Sequence, residues 1–402
     1  MTRRLVVEAE PAFRTAAANP YNAALARALI DEGAQVRDLS YLRLATRRTD
    51  VVHLHWPDLT FLSGHRLSIM RARLLLFGTA LRIARLRGTR MVWTVHNLDA
   101  HEERATPELR ARLRRMLATQ LDGILALSHS SLESAREAYP ELAALPAFVT
   151  PHGHYRGDYD FSAGRAEARE RLGVDEDATL LVAVGQVRPY KNIPRLIEAF
   201  RAVEGDRLRL AVVGRASPRE LGEEIAEAAA HDPRIRVEPD FQSDQAIADW
   251  MRAADLVVLP YRKVLNSGAA MLALSADRPV LVPALGSLVE LRQQVGDDWV
   301  RTFEGEIDRD VLRDALDWAG APRTPVVDLS PFDWHTVAQR TLDAYREIGR
   351  RPRAPARERL SQNRTDFPST TGSPIVPVAA APDPPEAAPE PSLVRHHPQE
   401  SR

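Results

Sequence analysis

The sequence has 402 residues, enough for two or three ordinary domains, and its apolar (44%) and charged (27%) fractions are those of a globular protein. The 54 basic and 55 acidic residues leave a net charge of −1, so a nucleic-acid partner is not indicated. The absence of cysteine excludes disulfides and thiolate sites. No apolar run approaches the ~18 residues of a membrane span or forms a signal-peptide core, so we expect a cytoplasmic protein.

Strand-like and helix-like segments alternate through residues 1–349. The strand-like runs fall into two groups, at 5–7, 51–55, 91–95, 124–127 and 148–150, and at 180–184, 208–213, 235–237, 256–259, 280–282 and 300–303. Because this alternation produces parallel sheets covered by helices on both faces, we predict an α/β protein with two doubly wound, Rossmann-like domains facing across a cleft.

The domain boundaries are predicted from composition. An aperiodic stretch rich in glycine and aromatic residues, at 151–164, is the expected hinge between a first domain (1–150) and a second domain (165–332). Residues 350–402 hold 11 of the 29 prolines and little to bury, so we expect a disordered tail there.

Two loops of the second domain have the chemistry of a phosphate site. The strand at 180–184 runs into Gly185, followed by Arg188 and Lys191 at the start of an amphipathic helix. Two cations beside a helix N-terminus suit a diphosphate, although a solvated loop is the alternative. The loop after the strand at 256–259 offers small and polar residues that allow an anion to approach free backbone N–H groups, namely Asn266, Ser267, Gly268 and Ala269; here Ser267 acting only as an N-cap is the alternative.

Other candidate residues follow strands of both domains. Asp240 and Phe241 suit a nucleobase, or form an ordinary surface turn. In the first domain, HNLDAHEE follows a strand and offers His96, Asp99 and Glu102 as candidate general bases, or merely an acidic helix start. Its spacing does not favour a zinc site. Three further residues are expected near the cleft, Asn19 and Tyr21 at the first helix and Trp56 after the strand at 51–55, whose own histidines are expected to be structural.

These motifs together resemble the GT-B glycosyltransferases over residues 1–349, most strongly over 147–292. FVTPHG is similar to their interdomain strand and hinge, VGQVRPYKNIPRLIEAF to their phosphate loop and helix, and IADWMRAADLVVLPY to the segment that leads into the donor site. RPVLVPALGSLVEL is similar to the strand and loop after that site, and FDWHTVAQRTLDAY to the terminal helix that crosses back to the first domain, here 333–349.

The resemblance implies a nucleotide-diphosphate sugar donor in the second domain, a glycan or lipid-linked acceptor on the first, and no required metal or other cofactor. Lys191 matches the diphosphate lysine; Gln186 replaces the usual arginine, whose role would pass to Arg188. His96 matches a histidine that contacts the donor sugar, and Glu290 matches an acid of the donor site. Asn19, Tyr21 and Trp56 would lie on the acceptor side.

The sequence departs from the family pattern at two glutamates, whose positions are Val264 and Leu272. Retention or inversion of the anomeric carbon is therefore open; an inverting enzyme would need a base, with Asp99 or Glu102 first and His96 third. The expected function is hexosyl transfer in cell-envelope or exopolysaccharide synthesis. The alternatives are a catalytically inactive module that binds sugar nucleotides or acts as a scaffold, and a sugar-nucleotide epimerase of the same fold.

A basic amphipathic segment lies in the first domain. Residues 60–120 contain 12 arginines and four acidic residues, and apolar residues recur at 67, 70, 74, 77, 81 and 84. This pattern predicts either a helix that covers the sheet with its arginines in water, or peripheral docking on anionic lipid at the inner face of the plasma membrane.

Overall fold

The computed structural model describes residues 3–16, 19–64, 66–98 and 105–353. Within these ranges, twelve strands form two six-stranded parallel sheets. The first sheet has the order β2-β1-β3-β4-β5-β6, with β1 (Val6–Glu10), β2 (Gln35–Asp38), β3 (Val51–Leu54), β4 (Arg90–Thr94), β5 (Gly123–Ala126) and β6 (Ala147–Val149). The second has the order β12-β11-β10-β7-β8-β9, with β7 (Thr179–Val184), β8 (Leu208–Val213), β9 (Ile235–Glu238), β10 (Leu256–Val258), β11 (Val280–Pro283) and β12 (Val300–Phe303).

Helices connect the strands and cover both faces of each sheet. Those of the first half are α1 (Tyr21–Asp31), α2 (Tyr41–Thr46), α3 (Pro57–Leu62), α4 (Leu67–Leu86), α5 (Pro107–Gln120) and α6 (His129–Ala138). Those of the second half are α7 (Arg165–Leu172), α8 (Ile193–Arg201), α9 (Arg219–Ala230), α10 (Asp244–Ala253), α11 (Gly268–Ser275), α12 (Gly286–Val295), α13 (Arg309–Ala319) and α14 (Trp334–Arg350). The predicted fold is confirmed.

Strand β2 is an element that the sequence analysis missed. Its four residues, QVRD, pair with β1 in parallel register, Val7 opposite Val36, at the edge of the first sheet. Because the strand is at an edge, it buries only Val36. Its sequence therefore lacks the continuous apolar run that marks the inner parallel strands.

Strand order reverses once in each sheet, between β1 and β3 in the first and between β7 and β10 in the second. Such a reversal separates the loops at the carboxyl ends of two neighbouring strands and leaves a crevice, which is where open α/β sheets bind their ligands. The fold therefore places one candidate crevice in each half of the molecule.

The last described helix, α14, packs on the first sheet and not on the second. Val337, Ala338 and Leu342 are buried in one apolar cluster with Val7 and Val51 of the first sheet. The predicted helix at 333–349 is thus α14, which continues to Arg350. The predicted disordered tail lies, from residue 354 onward, outside the described residues.

The two halves also touch at the cleft. The carboxylate of Glu290, on α12, accepts hydrogen bonds from the backbone N–H groups of His129, at 2.9 Å, and Ser130, at the first turn of α6. The hydroxyl of Ser131 lies 2.8 Å from the side-chain oxygen of Asn266. Helix α12 and the loop after β10, both in the second half, therefore contact the same helix of the first half, α6.

Candidate active site at the cleft

The loop after β7 presents a lysine whose charge is not neutralised by any described residue. Gly185 has a φ of 101°, a conformation that glycine adopts readily, and a Cβ at this position would lie 3.1 Å from Lys191 Nζ. The ammonium also lies 5.4 Å from the centroid of the Tyr261 ring, on the loop after β10. No hydrogen-bond or ion-pair partner for Lys191 Nζ occurs among the described residues. Burial, with Arg188 nearby, lowers the pKa of Lys191.

Arg188 lies in the same loop but is engaged elsewhere. Its Nη1 donates to the hydroxyl of Ser217, on the loop after β8, at 3.1 Å. Asn192 then adopts a left-handed conformation, with a φ of 57°, and α8 begins at Ile193. Both cations therefore stand beside the N-terminus of α8, whose partial positive charge favours an anion at the same place.

The loop after β10 forms the other side of this crevice. Ser267 is the N-cap of α11, its hydroxyl accepting from the N–H of Ala270 at 3.1 Å. Gly268 follows against the hinge, since a Cβ there would lie 3.2 Å from the Tyr155 hydroxyl. The side-chain oxygen of Asn266 accepts a hydrogen bond from the Ser131 hydroxyl of α6. Its amide nitrogen is buried with no hydrogen-bond partner among the described residues.

Four predicted residues of the second half lie apart from this crevice or are already engaged. The Glu290 carboxylate is held by the N-terminus of α6, as described above, and Ala269 packs against the core of the second half. Asp240 and Phe241 follow β9, the edge strand, and Phe241 is 78% exposed. Donor contact by Glu290 and nucleobase contact by Asp240 and Phe241 stay predictions.

In the first half, His96 lies among aromatic rings. Trp56 stacks on its imidazole with ring centroids 4.4 Å apart, Tyr21 meets it edge-on at 5.1 Å, and His55 Nδ1 lies 3.1 Å from His96 Nε2. Burial lowers the pKa of His96 well below its usual value, so the ring is neutral near pH 7. Asn19 is close by, since its side chain accepts from the N–H of Tyr21 at 3.1 Å.

The structure thus brings together His96, Tyr21, Trp56 and Asn19. Donor-sugar contact by His96 and acceptor contact by Asn19, Tyr21 and Trp56 stay predictions. The neighbouring His53 is a packing residue, with its Nδ1 2.7 Å from the Tyr345 hydroxyl of α14. The two preferred candidate bases, Asp99 and Glu102, lie outside the described residues. The imidazole of His96 is neutral and its Nε2 already interacts with His55, so it is better suited to contacting a bound substrate than to abstracting a proton.

The sequence analysis missed a cavity of about 540 Å³ at the crevice of the first sheet. It opens between the end of β1, the loop after β3 and helices α2, α3 and α4. Its lining consists of Glu10, Pro11, Arg14, Thr15, Leu39, Tyr41, Trp56, Leu59, Thr60, Ser63 and Arg73. The signal that points to it is an acidic residue at the end of β1. The apolar run of β1 ends at residue 7, so the sequence alone does not show that the strand continues to Glu10.

Metal chemistry has no evident centre in the described ranges, where no group of three or more histidine and acidic side chains is placed to hold an ion. The described helices also include none that is both long and apolar enough to cross a membrane.

The two sheets with facing crevices define a GT-B glycosyltransferase, and comparisons with known proteins agree. Residues 178–303 match the family "Glycosyl transferases group 1". The chain is 32% identical over 332 residues to a GDP-mannose:glycolipid 4-beta-D-mannosyltransferase of Xanthomonas campestris pv. campestris, covering 82% of this chain and 88% of that protein.

Similarity extends to a second kind of glycosyltransferase and to solved structures. A D-inositol 3-phosphate glycosyltransferase of Streptosporangium roseum is 26% identical, covering 74% of this chain and 69% of the relative. WaaG, a glycosyltransferase involved in lipopolysaccharide biosynthesis, superimposes with a TM-score of 0.56 at 15% identity, covering 90% of this chain and 100% of that one. The chain belongs to the group 1 glycosyltransferases and is a hexosyltransferase.

Proposed function

We propose that the protein transfers a hexose, with mannose from GDP-mannose the first candidate, from a nucleotide-diphosphate sugar to a glycolipid acceptor in cell-envelope or exopolysaccharide synthesis. The observation that carries the proposal is the ammonium of Lys191, unpaired within the described part of the chain, in the crevice between β7 and β10 next to the N-termini of α8 and α11. A diphosphate there supplies the missing counter-charge and accepts from free helix N–H groups.

The choice of donor and acceptor rests on the relative from Xanthomonas, which is named for GDP-mannose, a glycolipid and a 4-beta linkage. Making a β-linkage from an α-linked nucleotide sugar inverts the anomeric carbon. Val264 and Leu272 stand where the resemblance expects the two glutamates of a retaining enzyme. Both observations favour an inverting transferase, which requires a base on the acceptor side.

We also propose that the reaction needs no metal ion. Lys191, Arg188 and the two helix N-termini supply the positive charge that the departing diphosphate requires. Transfer in the presence of EDTA at the rate measured with added Mg²⁺ is the expected result. Loss of activity with EDTA and its return with Mg²⁺ would show that this set of groups is insufficient.

The test of the function has two stages. Purified protein is first screened by thermal shift against GDP, UDP, ADP, dTDP and CMP, because a ligand that binds the folded state raises the melting temperature. The matching nucleotide sugars are then supplied with glycolipid acceptors, and radiolabelled sugar is measured in the lipid fraction. A GDP-specific shift and label from GDP-mannose support the proposal. No shift with any nucleotide would favour the inactive module, and sugar interconversion without transfer would favour an epimerase.

A glycolipid acceptor implies a membrane surface, and helix α4 has a face suited to one. Ile69, Leu76 and Ile83 recur every seventh residue, so they project from one side of the helix. They are exposed, as is Leu86 (89%) at the helix end, and Leu42 (73%) is an exposed apolar residue of α2, which packs against α4. Six apolar residues of α4 are exposed in all, with Leu67 and Leu75 added to the four above, and this exceeds what a solvated helix normally presents.

Charge on α4 favours an anionic bilayer as the occupant of this face. The helix, LSIMRARLLLFGTALRIARL, has four arginines and no acidic residue. Its opposite side is buried through Met70, Leu74, Phe77 and Leu81. Arg85 pairs with Asp122 and Arg73 donates to the Ser63 carbonyl, whereas Arg71 and Arg82 are exposed. Helices of this kind lie in the headgroup region, and each basic residue near an anionic surface contributes about 1 kcal/mol. We propose that this face rests on the anionic membrane that holds the acceptor.

The docking is tested by co-sedimentation with vesicles. Wild type is expected to bind phosphatidylglycerol-containing vesicles, less so at high salt, and phosphatidylcholine vesicles weakly. The double variant Leu76→Glu, Ile83→Glu is expected to lose binding, whereas Val326→Glu, at an exposed apolar residue of the second half, retains it. Equal binding by all three proteins would overturn the proposal, as would a concentration-dependent dimer that the double variant abolishes.

A further inference from the structure

The cavity at the crevice of the first sheet has the features of a carbohydrate site. Its volume, about 540 Å³, falls in the range of roughly 300–1,000 Å³ that is typical of small-ligand sites. Trp56 supplies an aromatic face for a sugar ring. Thr15 is a lining residue, and its hydroxyl is buried with no hydrogen-bond partner among the described residues. Thr60 and Tyr41 add further hydroxyls to the lining.

The position of the cavity matches that of an acceptor. It lies at the reversal between β1 and β3, the place where the first sheet is expected to take a ligand. Trp56 lines it and also stacks on His96, so the cavity borders the histidine that the resemblance places against the donor sugar. On its other side Leu59 and Arg73 connect it to α3 and α4, next to the proposed membrane face.

Glu10 is the acidic residue that lines this cavity. It ends β1, and its side chain is 11% exposed. Its carboxylate accepts from the guanidinium of Arg14, whose own side chain is 54% exposed and is also paired with Asp38, and from the Thr60 hydroxyl at 3.5 Å. Glu10 and its cationic partner Arg14 both line the cavity, so the ion pair forms part of its wall.

We propose that this cavity binds the terminal sugar of the glycolipid acceptor and that Glu10 is the general base of the transfer. The proposal rests on the proposed function. The Glu10 carboxylate takes the proton of the attacking hydroxyl, and the hydroxyl oxygen forms a bond to the anomeric carbon of the donor. The bond between that carbon and the diphosphate oxygen breaks, and its electron pair leaves with the nucleoside diphosphate.

The surroundings of Glu10 suit this role. Burial raises the pKa of its carboxyl, partly offset by Arg14 and by the Thr60 hydroxyl, while Asp38 raises it further. Tyr41 and Arg73 are the other titratable or charged side chains of the lining. A carboxylate with a raised pKa is a stronger base than an exposed one.

The test compares Glu10→Gln with Glu8→Gln on an acceptor that wild type glycosylates. Glu8 is a matched control, because it is buried on the same strand but pairs with Arg43 and does not line the cavity. Glu10→Gln is expected to lower kcat by roughly 10²–10⁴-fold with unchanged nucleotide affinity, and to abolish the acidic limb of the pH–rate profile. Glu8→Gln is expected to keep kcat within a few-fold of wild type and to retain that limb.

The outcomes separate the base from the function. An active wild type with an equally active Glu10→Gln variant would overturn the role of Glu10 alone. A wild type that transfers sugar to no glycolipid would overturn the proposed function and the base with it. If Glu10→Gln does not fold, Trp56→Ala still tests the cavity: its KM for the acceptor is expected to rise at least about tenfold, while the Kd for GDP, whose proposed site is the crevice of the second sheet, is unchanged. An unchanged acceptor KM would overturn the site.

Discussion

Replacing Lys191 by methionine is expected to have opposite effects on the free and the nucleotide-bound protein. The methionine keeps an apolar side chain of similar length against Gly185 and Tyr261 but removes the ammonium. In the free protein this charge has no partner among the described residues, and burial lowers its pKa. Because an unpaired, partly buried charge is costly, we expect the melting temperature of free Lys191→Met to equal or exceed that of wild type.

The Lys191→Met variant is expected to bind the nucleoside diphosphate more weakly, by the free energy of the lost contact between the ammonium and the diphosphate. A charge-assisted hydrogen bond contributes about 1.5–3 kcal/mol, and each ~1.4 kcal/mol is a factor of ten in affinity, so the Kd for the nucleoside diphosphate should rise roughly 10–150-fold. Lys191→Arg is expected to recover only part of this, since a planar guanidinium does not fit the space beside Gly185 as an ammonium does.

Calorimetric titration with GDP and thermal denaturation of the free protein measure the two effects. Arg219→Met is the control, because Arg219 is 89% exposed on α9 and is expected to leave both the GDP affinity and the melting temperature unchanged. The reasoning is refuted if Lys191→Met binds GDP with the wild-type Kd. It is also refuted if the free variant melts several degrees below wild type, since the ammonium would then have been stabilising the fold.

Three further predictions concern the hinge, the histidines and the alkaline range. Gly153→Ala should destabilise the fold by about 1–3 kcal/mol in urea denaturation, because its Cβ would lie 2.4 Å from the Trp334 ring, whereas Gly157→Ala has open space and should be neutral; equal values would contradict the close packing. Burial lowers the pKa of His53 to about 3, so the unfolded chain takes up the proton first and unfolding free energy should fall by up to ~1.4 kcal/mol per pH unit as pH drops below about 6.5. The His53→Gln variant should be less stable at pH 7.5, but its unfolding free energy should depend less steeply on pH. An unchanged slope would show that other groups cause the pH dependence. Since the pKa of Lys191 is lowered, GDP affinity should decline with rising pH before an ordinary lysine would titrate, and a pH-independent Kd up to pH 10 would argue against its charge as the determinant.

How far the sequence predicts this molecule depends on how buried each segment is. The strand β7, TLLVAV, is apolar after its first residue because both faces of an inner parallel strand are covered, and such strands are recognisable from their sequence. The edge strand β2 and the carboxyl end of β1 carry charged residues in the same conformation. Sequence analysis misses them because a run of apolar residues indicates that a segment is buried, not that its backbone is extended.

The site shows the same limit. Lys191 and Gly185 are identifiable because a glycine and a cation that follow a buried strand are typical of a phosphate-binding loop. The hydroxyl of Ser267 proved to be an N-cap, which was the alternative interpretation of that motif. Glu290 was placed by resemblance, yet its carboxylate meets α6 across the cleft. That contact depends on how the two sheets are arranged, which local sequence does not encode. Glu10 could be recognised as a candidate residue only once the strand order of the first sheet was known, because that order places the end of β1 beside a crevice.

The return of α14 to the first sheet has a consequence for synthesis of the chain on the ribosome. Tyr345, Leu342 and Val337 complete an apolar cluster whose members outside α14, including Val7 and Leu29, all precede the second sheet in the chain. Domains normally fold as units from the N-terminus. Here the N-terminal sheet keeps one apolar surface uncovered until the entire second sheet has been synthesised, so the half that is made first is completed last.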